Sequence, residues 1–166
     1  MHRALSLTED PILAHLDSKQ QEQVVLSFTL LYREQDSNTR YPDYSFVVFP
    51  MAKAYEGFLK SYFFQMGLIT KQTYEGRGFR VGRALNPDVR PERRDEEWLY
   101  DNVERACSKE VARELWDVWL NCRNQVFHYF PGKENRLTLV QASKYLEAIL
   151  HAMQRAISCI SLSKSN

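Results

Sequence analysis

From Tyr44 to Ile69 the chain is almost continuously apolar, carrying Phe46, Val47, Val48, Phe49, Tyr55, Phe58, Leu59, Tyr62, Phe63, Phe64 and Met66. A helix that is hydrophobic nearly all round belongs in the centre of a bundle, so this stretch dictates a fold of helices arranged about it. Pro50 is expected to start or kink that helix. The polar exceptions, Lys53, Glu56 and Lys60, fall at i, i+3 and i+7 and form one stripe on an element that otherwise seeks burial. One explanation is a solvated edge stapled by a Glu56–Lys60 pair, worth about 0.2–0.5 kcal/mol. The other is a charged cluster that serves function.

The segments on either side supply the remaining helices. Thr8-Glu9-Asp10-Pro11 reads as a helix start, with Thr8 or Asp10 as N-cap and Pro11 in the first turn, opening a short helix to about Asp17. Ser18 resembles a second cap, and Val24, Leu26, Phe28, Leu30 and Leu31 lie in a helical run to about Glu34, followed by a polar loop from Gln35 to Asp43. Further helices are expected over Glu92–Cys107 and Ser108–Phe127, the second started by Ser108, Glu110 and Glu114 and apolar along Leu115, Trp116, Trp119, Cys122, Val126 and Phe127. The last runs from Thr138 to about Ser161, with apolar residues at helical spacing from Leu139 to Ile160. Tyr55, Phe58, Tyr62, Trp119 and Ile149 sit on the apolar sides of their helices and are expected in the core. The expectation is an all-α bundle of five or more helices forming a single domain over residues 1–166.

Lys71 to Arg94 breaks this pattern. Gly76, Gly78, Gly82, Pro87 and Pro91 interrupt periodicity, and seven Lys or Arg face only Glu75, Asp88 and Glu92, a net charge of +4. Tyr74, Phe79 and Val81 around Glu-Gly-Arg-Gly suit a short hairpin. The segment is either a solvated surface loop or a basic flap that contacts phosphates through residues such as Arg77, Arg80 and Arg83.

The whole-chain charge of +1 carries no nucleic-acid signature, so RNA or DNA binding would have to come from such a local patch. Cys107, Cys122 and Cys159 are odd in number, far apart and without Cys-x-x-Cys or Cys/His pairing; neither a disulfide framework nor a zinc site is expected, and a reducing, cytoplasmic setting follows. Met1 to Ser18 carries Asp and Glu without a long apolar run, and no window approaches 18 uninterrupted apolar residues, so neither a signal peptide nor a membrane span is expected.

Chemistry concentrates at Arg123-Asn124-Gln125-Val126-Phe127-His128-Tyr129-Phe130, where Pro131-Gly132 must end the helix. Arg supplies a fixed positive fork for a phosphate, and His is the side chain best suited to move a proton near neutral pH. Residues five apart lie about 140° apart on an ideal α-helix, so Arg123 and His128 share a face only if the last turn unwinds or a second protomer brings them together. Asn124 and His128, at i and i+4, do share a face, and Asn124 could orient the ring. A bland alternative is a capping ring bonded to a terminal carbonyl.

Arg123-Asn124-(three residues)-His128, with Tyr129 after it, resembles the RX4-6H motif of the HEPN superfamily. The Pro50-Met-Ala-Lys53-Ala-Tyr-Glu56-Gly-Phe-Leu-Lys60 stretch, with that motif and a final helix entered through Leu137-Thr138-Leu139, is similar to the HEPN domain of the RNase LS toxin family, over roughly residues 43–160. The resemblance implies a small helical bundle and a metal-independent endoribonuclease without cofactor. It places catalytic roles on Arg123, His128, Lys53 and Glu56, with Asn124, Tyr129 and Lys60 in support. It also implies RNA as substrate, a homodimer uniting two motifs, and a toxin, antiviral defence or stress setting with an antitoxin or inhibitor as partner. RNase LS toxins carry additional domains ahead of the HEPN unit, which a chain of 166 residues is expected to lack. Two other readings stay open: a catalytically inactive HEPN module for interaction or RNA binding, and a structural adaptor whose basic flap is spread over the surface away from the motif.

Overall fold

The structure, a computed structural model, describes residues 11–132 and 134–163. Among them the regular secondary structure is entirely helical, as expected for an all-α chain. A 3-10 turn over Pro11–His15 leads to α1 (Ser18–Asp36) and α2 (Ser45–Gln65); short helices α3 (Lys71–Glu75) and α4 (Val81–Ala84) and a 3-10 turn (Pro91–Arg93) precede α5 (Tyr100–Ala106), α6 (Lys109–Val118) and α7 (Leu139–Ser163). The proposed cap at Thr8 or Asp10 lies outside the described residues.

Helix α2 is the central element, packed chiefly on α1 and then on α7. Val47, Met51, Tyr55, Leu59, Tyr62 and Phe63 are buried along it, and the expected core residues Phe58, Trp119 and Ile149 are buried as well. Pro50 sits inside α2, where its ring removes a ladder donor. Just beyond it, the Met51 N–H donates to the buried Ser27 Oγ of α1 at 2.8 Å, which ties the two helices together at the interruption. Tyr55 Oη donates to the Leu115 carbonyl of α6 at 3.0 Å and fixes α6 against α2.

The helix ends differ from expectation in detail. Asp17, one residue before Ser18, caps α1: its Oδ1 accepts from Gln20 N at 2.8 Å while Gln20 Oε1 accepts from Asp17 N at 3.2 Å, a reciprocal capping box. Thr138 and Gln141 make the same kind of box at the start of α7. Ser108 caps α6 as expected, its Oγ accepting from Val111 N. The helix expected from Glu92 begins only at Tyr100, because Arg94 and Trp98 fold the preceding segment onto the turn at 86–89. The basic segment forms α3 and α4 and no hairpin. Thr70 caps α3 through Thr73 N, which sets a helical turn where Tyr74 was expected to enter a strand.

Two of the three cysteines correct the expectation of isolated thiols. Cys107, at the C-terminal end of α5, and Cys159, on α7, are joined as a disulfide across a separation of 52 residues. Sequence spacing carries no information about this pairing, which is reached because α5 and α7 both pack on α6. Cys122 is free and buried, and burial pushes its thiol up to about 12. No helix among the described residues is long and apolar enough to cross a membrane.

Candidate functional site

Past Val118 the chain does not continue as α-helix. Trp119–Asn124 is a π-helical turn, closed by a Gln125 N–H to Leu120 carbonyl bond of 2.9 Å between residues five apart. Such turns widen the helix and change the angle between successive side chains. Arg123 and His128, which would diverge on an ideal α-helix, therefore line the same cleft.

The cleft has a volume of about 620 Å³. Its floor comes from α2 and the π-turn. Arg123 Nη2 lies 3.0 Å from Glu56 Oε2, so the carboxylate on the most apolar helix turns to Arg123 and not to Lys60. The Arg123 guanidinium also stands 4.7 Å from the Trp119 ring centre, one turn back on its own helix. Held on two sides, it presents a preorganised cation. Helix α4 closes over Trp119 at Gly82, where a Cβ atom would come within 2.5 Å of Trp119 Nε1; only glycine admits this approach.

His128 occupies the exposed lip. Its Nδ1 is 2.6 Å from the Asn124 carbonyl oxygen. A carbonyl only accepts, so Nδ1 carries the proton and Nε2 holds the lone pair of the neutral ring. The capping contact and the place in the cleft thus coexist in one side chain. Asn124 orients the ring, through its backbone oxygen and not its amide. The carbonyls of Gln125 and His128 accept from Asn135 Nδ2 at 3.2 and 2.7 Å, which fastens the turn carrying the imidazole.

Part of the basic flap faces the motif. Arg77, Arg80 and Arg83 all line the cleft that holds Glu56, Arg123, Asn124 and His128. Their roles differ. The Arg83 guanidinium forms two bonds to the Asp95 carboxylate, at 2.8 and 2.6 Å, and a third to the Arg93 carbonyl, so it is a strut within the flap. Those bonds raise the Arg83 guanidinium and lower the Asp95 carboxyl from their ordinary values. Arg77 and Arg80 make no such ion pair among the described residues and carry the positive charge that the cleft offers to an anion.

Three of the residues singled out in the sequence do not line this cleft. Lys53 Nζ lies 5.9 Å from the Phe49 ring centre, because side chains on a helix lean toward its N-terminus and carry this one a turn away from Glu56. Lys60 lies one turn beyond Glu56 in the opposite direction. Tyr129, past the motif, is 87% exposed. The sequence reading in turn missed Trp119, Gly82 and Asn135. Trp119 had a signal in its i, i+4 spacing to Arg123. Asn135 had none, since its partners are backbone carbonyls.

No group of three or more His, Cys, Asp or Glu side chains is placed to hold a metal ion among the described residues. No protein-family model, curated protein or solved structure matches the chain.

Proposed function

We propose that this chain is a metal-independent endoribonuclease of the HEPN type, acting in a toxin, antiviral defence or stress system. The observation that supports this best is the convergence in one cleft of a braced Arg123, a tautomerically fixed His128, and the unpaired cations Arg77 and Arg80. RNA supplies its own nucleophile. The 2′-oxygen attacks the adjacent phosphorus, the phosphorus–O5′ bond breaks, and a 2′,3′-cyclic phosphate and a 5′-hydroxyl result. A base removes the 2′-hydroxyl proton, an acid returns one to O5′, and a cation stabilises the charge on the phosphoryl oxygens.

The lone pair on His128 Nε2 suits it to the base role, and Arg123 to the phosphate clamp. Glu56 holds Arg123, and the flap arginines bind flanking phosphates. One protomer offers one imidazole at the motif, so the acid falls to His128 of a second copy, in the homodimer that the resemblance implies. That interface is expected to bury on the order of 1,000 Å² or more. An antitoxin or inhibitor protein completes this reading.

Cleavage of RNA in EDTA by the intact protein tests it. His128→Ala is expected to lower the rate by about 10²–10⁴-fold, the usual contribution of a positioned proton-transfer group. Arg123→Ala should also abolish cleavage, with a stability loss of about 1 kcal/mol or less, because its ion pair is partly solvent-exposed. Undiminished cleavage by both variants overturns the proposal. A correctly folded dimer that never cuts RNA favours the inactive-module reading.

A further inference from the structure

One wall of the cleft is left without a role by the proposed chemistry. It is formed by Asn86 and Val89 from the turn after α4, facing Trp116 of α6. This turn is unusually well fixed for a surface loop. Trp98 Nε1 donates to the Asn86 carbonyl at 2.8 Å, Arg94 Nε donates to the Val89 carbonyl at 2.9 Å, and the Arg94 guanidinium stacks 3.9 Å from the Trp98 ring centre. Such bracing removes the ordering cost that a mobile loop would add to ligand binding.

The bracing also determines what Asn86 can offer. Its Oδ1 accepts from the Asp88 backbone N–H at 2.9 Å. Only the oxygen of the amide can accept that proton, so the orientation of the group is set and its NH₂ lies on the other arm of the planar amide. Among the described residues nothing accepts from that NH₂. Asn86 is therefore a donor held on the wall of a cleft that it shares with Asn124, His128, the flap arginines and the Glu56–Arg123 pair.

We propose that the wall at Asn86, Val89 and Trp116 is a nucleobase subsite, and that Asn86 selects a base with a keto oxygen at pyrimidine position 4 or purine position 6, uracil or guanine, over cytosine or adenine, which carry an amino group there. This rests on the ribonuclease reading of the same cleft. Single-stranded RNA exposes its base edges, and these are read by hydrogen bonds together with apolar contact. Uracil O4 and guanine O6 accept from an amide NH₂ where cytosine and adenine present amino groups that only donate. Val89 and Trp116 supply apolar surface to the ring.

The test uses an RNA that contains every dinucleotide step, with cut sites read by sequencing. The native protein is expected to favour U or G over A or C by about fivefold or more at one fixed position beside the cut, the size of one hydrogen bond. Asn86→Asp is the informative variant. Its carboxylate still accepts from Asp88 N, so the turn is kept, while the NH₂ becomes a second acceptor. The ratio of keto to amino bases should then fall or reverse, whatever happens to the total rate. Cutting with no keto bias, or with a bias that Asn86→Asp leaves unchanged, overturns the subsite and leaves the nuclease standing. If the native protein does not cut, its affinities for oligo-U and oligo-C decide. A uracil preference lost in Asn86→Asp retains the subsite without the reaction, and equal affinities overturn both.

Discussion

Asp43 and Asn135 each secure the ends of segments that no regular ladder holds. Asp43 Oδ1 accepts from Ser45 N at 2.9 Å and from Leu137 N at 3.0 Å, joining the start of α2 to the approach to α7. Partial burial pushes its carboxyl up, but the Leu137 and Ser45 donors, with Arg136 nearby, outweigh this and hold it below its ordinary value of 3.8. A carboxyl depressed in the folded state contributes stability that is complete above the unfolded value and is lost as pH falls through the folded one. Asp43→Asn keeps an oxygen for both donors but cannot titrate, so it should lessen the loss of stability below pH 3.8, as read from unfolding midpoints across an acid series. An unchanged acid profile would show that Asp43 does not set it. At the same scale the need of Glu56 for a partner was legible in the sequence, since a carboxylate on so apolar a helix is paired when it is buried. The direction of Lys53 was not, because spacing reports which face a side chain leaves and not how far it leans.

The element that makes the site is the π-turn at Trp119–Asn124, with α4 laid across it. Sequence periodicity predicted a helix through Phe127, and apolar spacing cannot distinguish a helix from one that has taken in a wider turn. The contact that locks the two elements is Gly82 on Trp119. Gly82→Ala places a methyl group 2.5 Å from Trp119 Nε1 and should cost about 1–3 kcal/mol, the usual penalty of overpacking. Chemical denaturation measures it, and a neutral result would show that α4 moves freely off the π-turn. The flap was legible as a basic segment, and its two-part division was not, because Asp95 lies beyond the stretch in which charges were counted. Arg77 and Arg80 are expected to contact phosphates while Arg83 braces the flap. Replacing both Arg77 and Arg80 with Ala should reduce the slope of log affinity against log salt for single-stranded RNA by about 1.4, at about 0.7 per phosphate contact. An unchanged slope would place the RNA elsewhere.

At the scale of the whole molecule, one apolar helix sets the architecture and a few polar residues on it set the site. That the chain is all-α with α2 at its centre followed directly from the composition of residues 44–69, because only a helix surrounded by others can bury so many large side chains. The Cys107–Cys159 link was illegible, since it depends on how α5 and α7 are each placed against α6 and not on any local pattern. The proposed activity joins these scales, and its central claim is that RNA is cut by its own 2′-hydroxyl in a cleft that only moves protons and neutralises charge. The most direct measurement is the chemistry of the product ends after digestion in EDTA, beside an oligonucleotide bearing a 2′-deoxy residue at the cut site. The account predicts 2′,3′-cyclic phosphate and 5′-hydroxyl ends from RNA, and no cleavage at the deoxy position. Products with 5′-phosphate ends, or cutting at the deoxy residue, would contradict it.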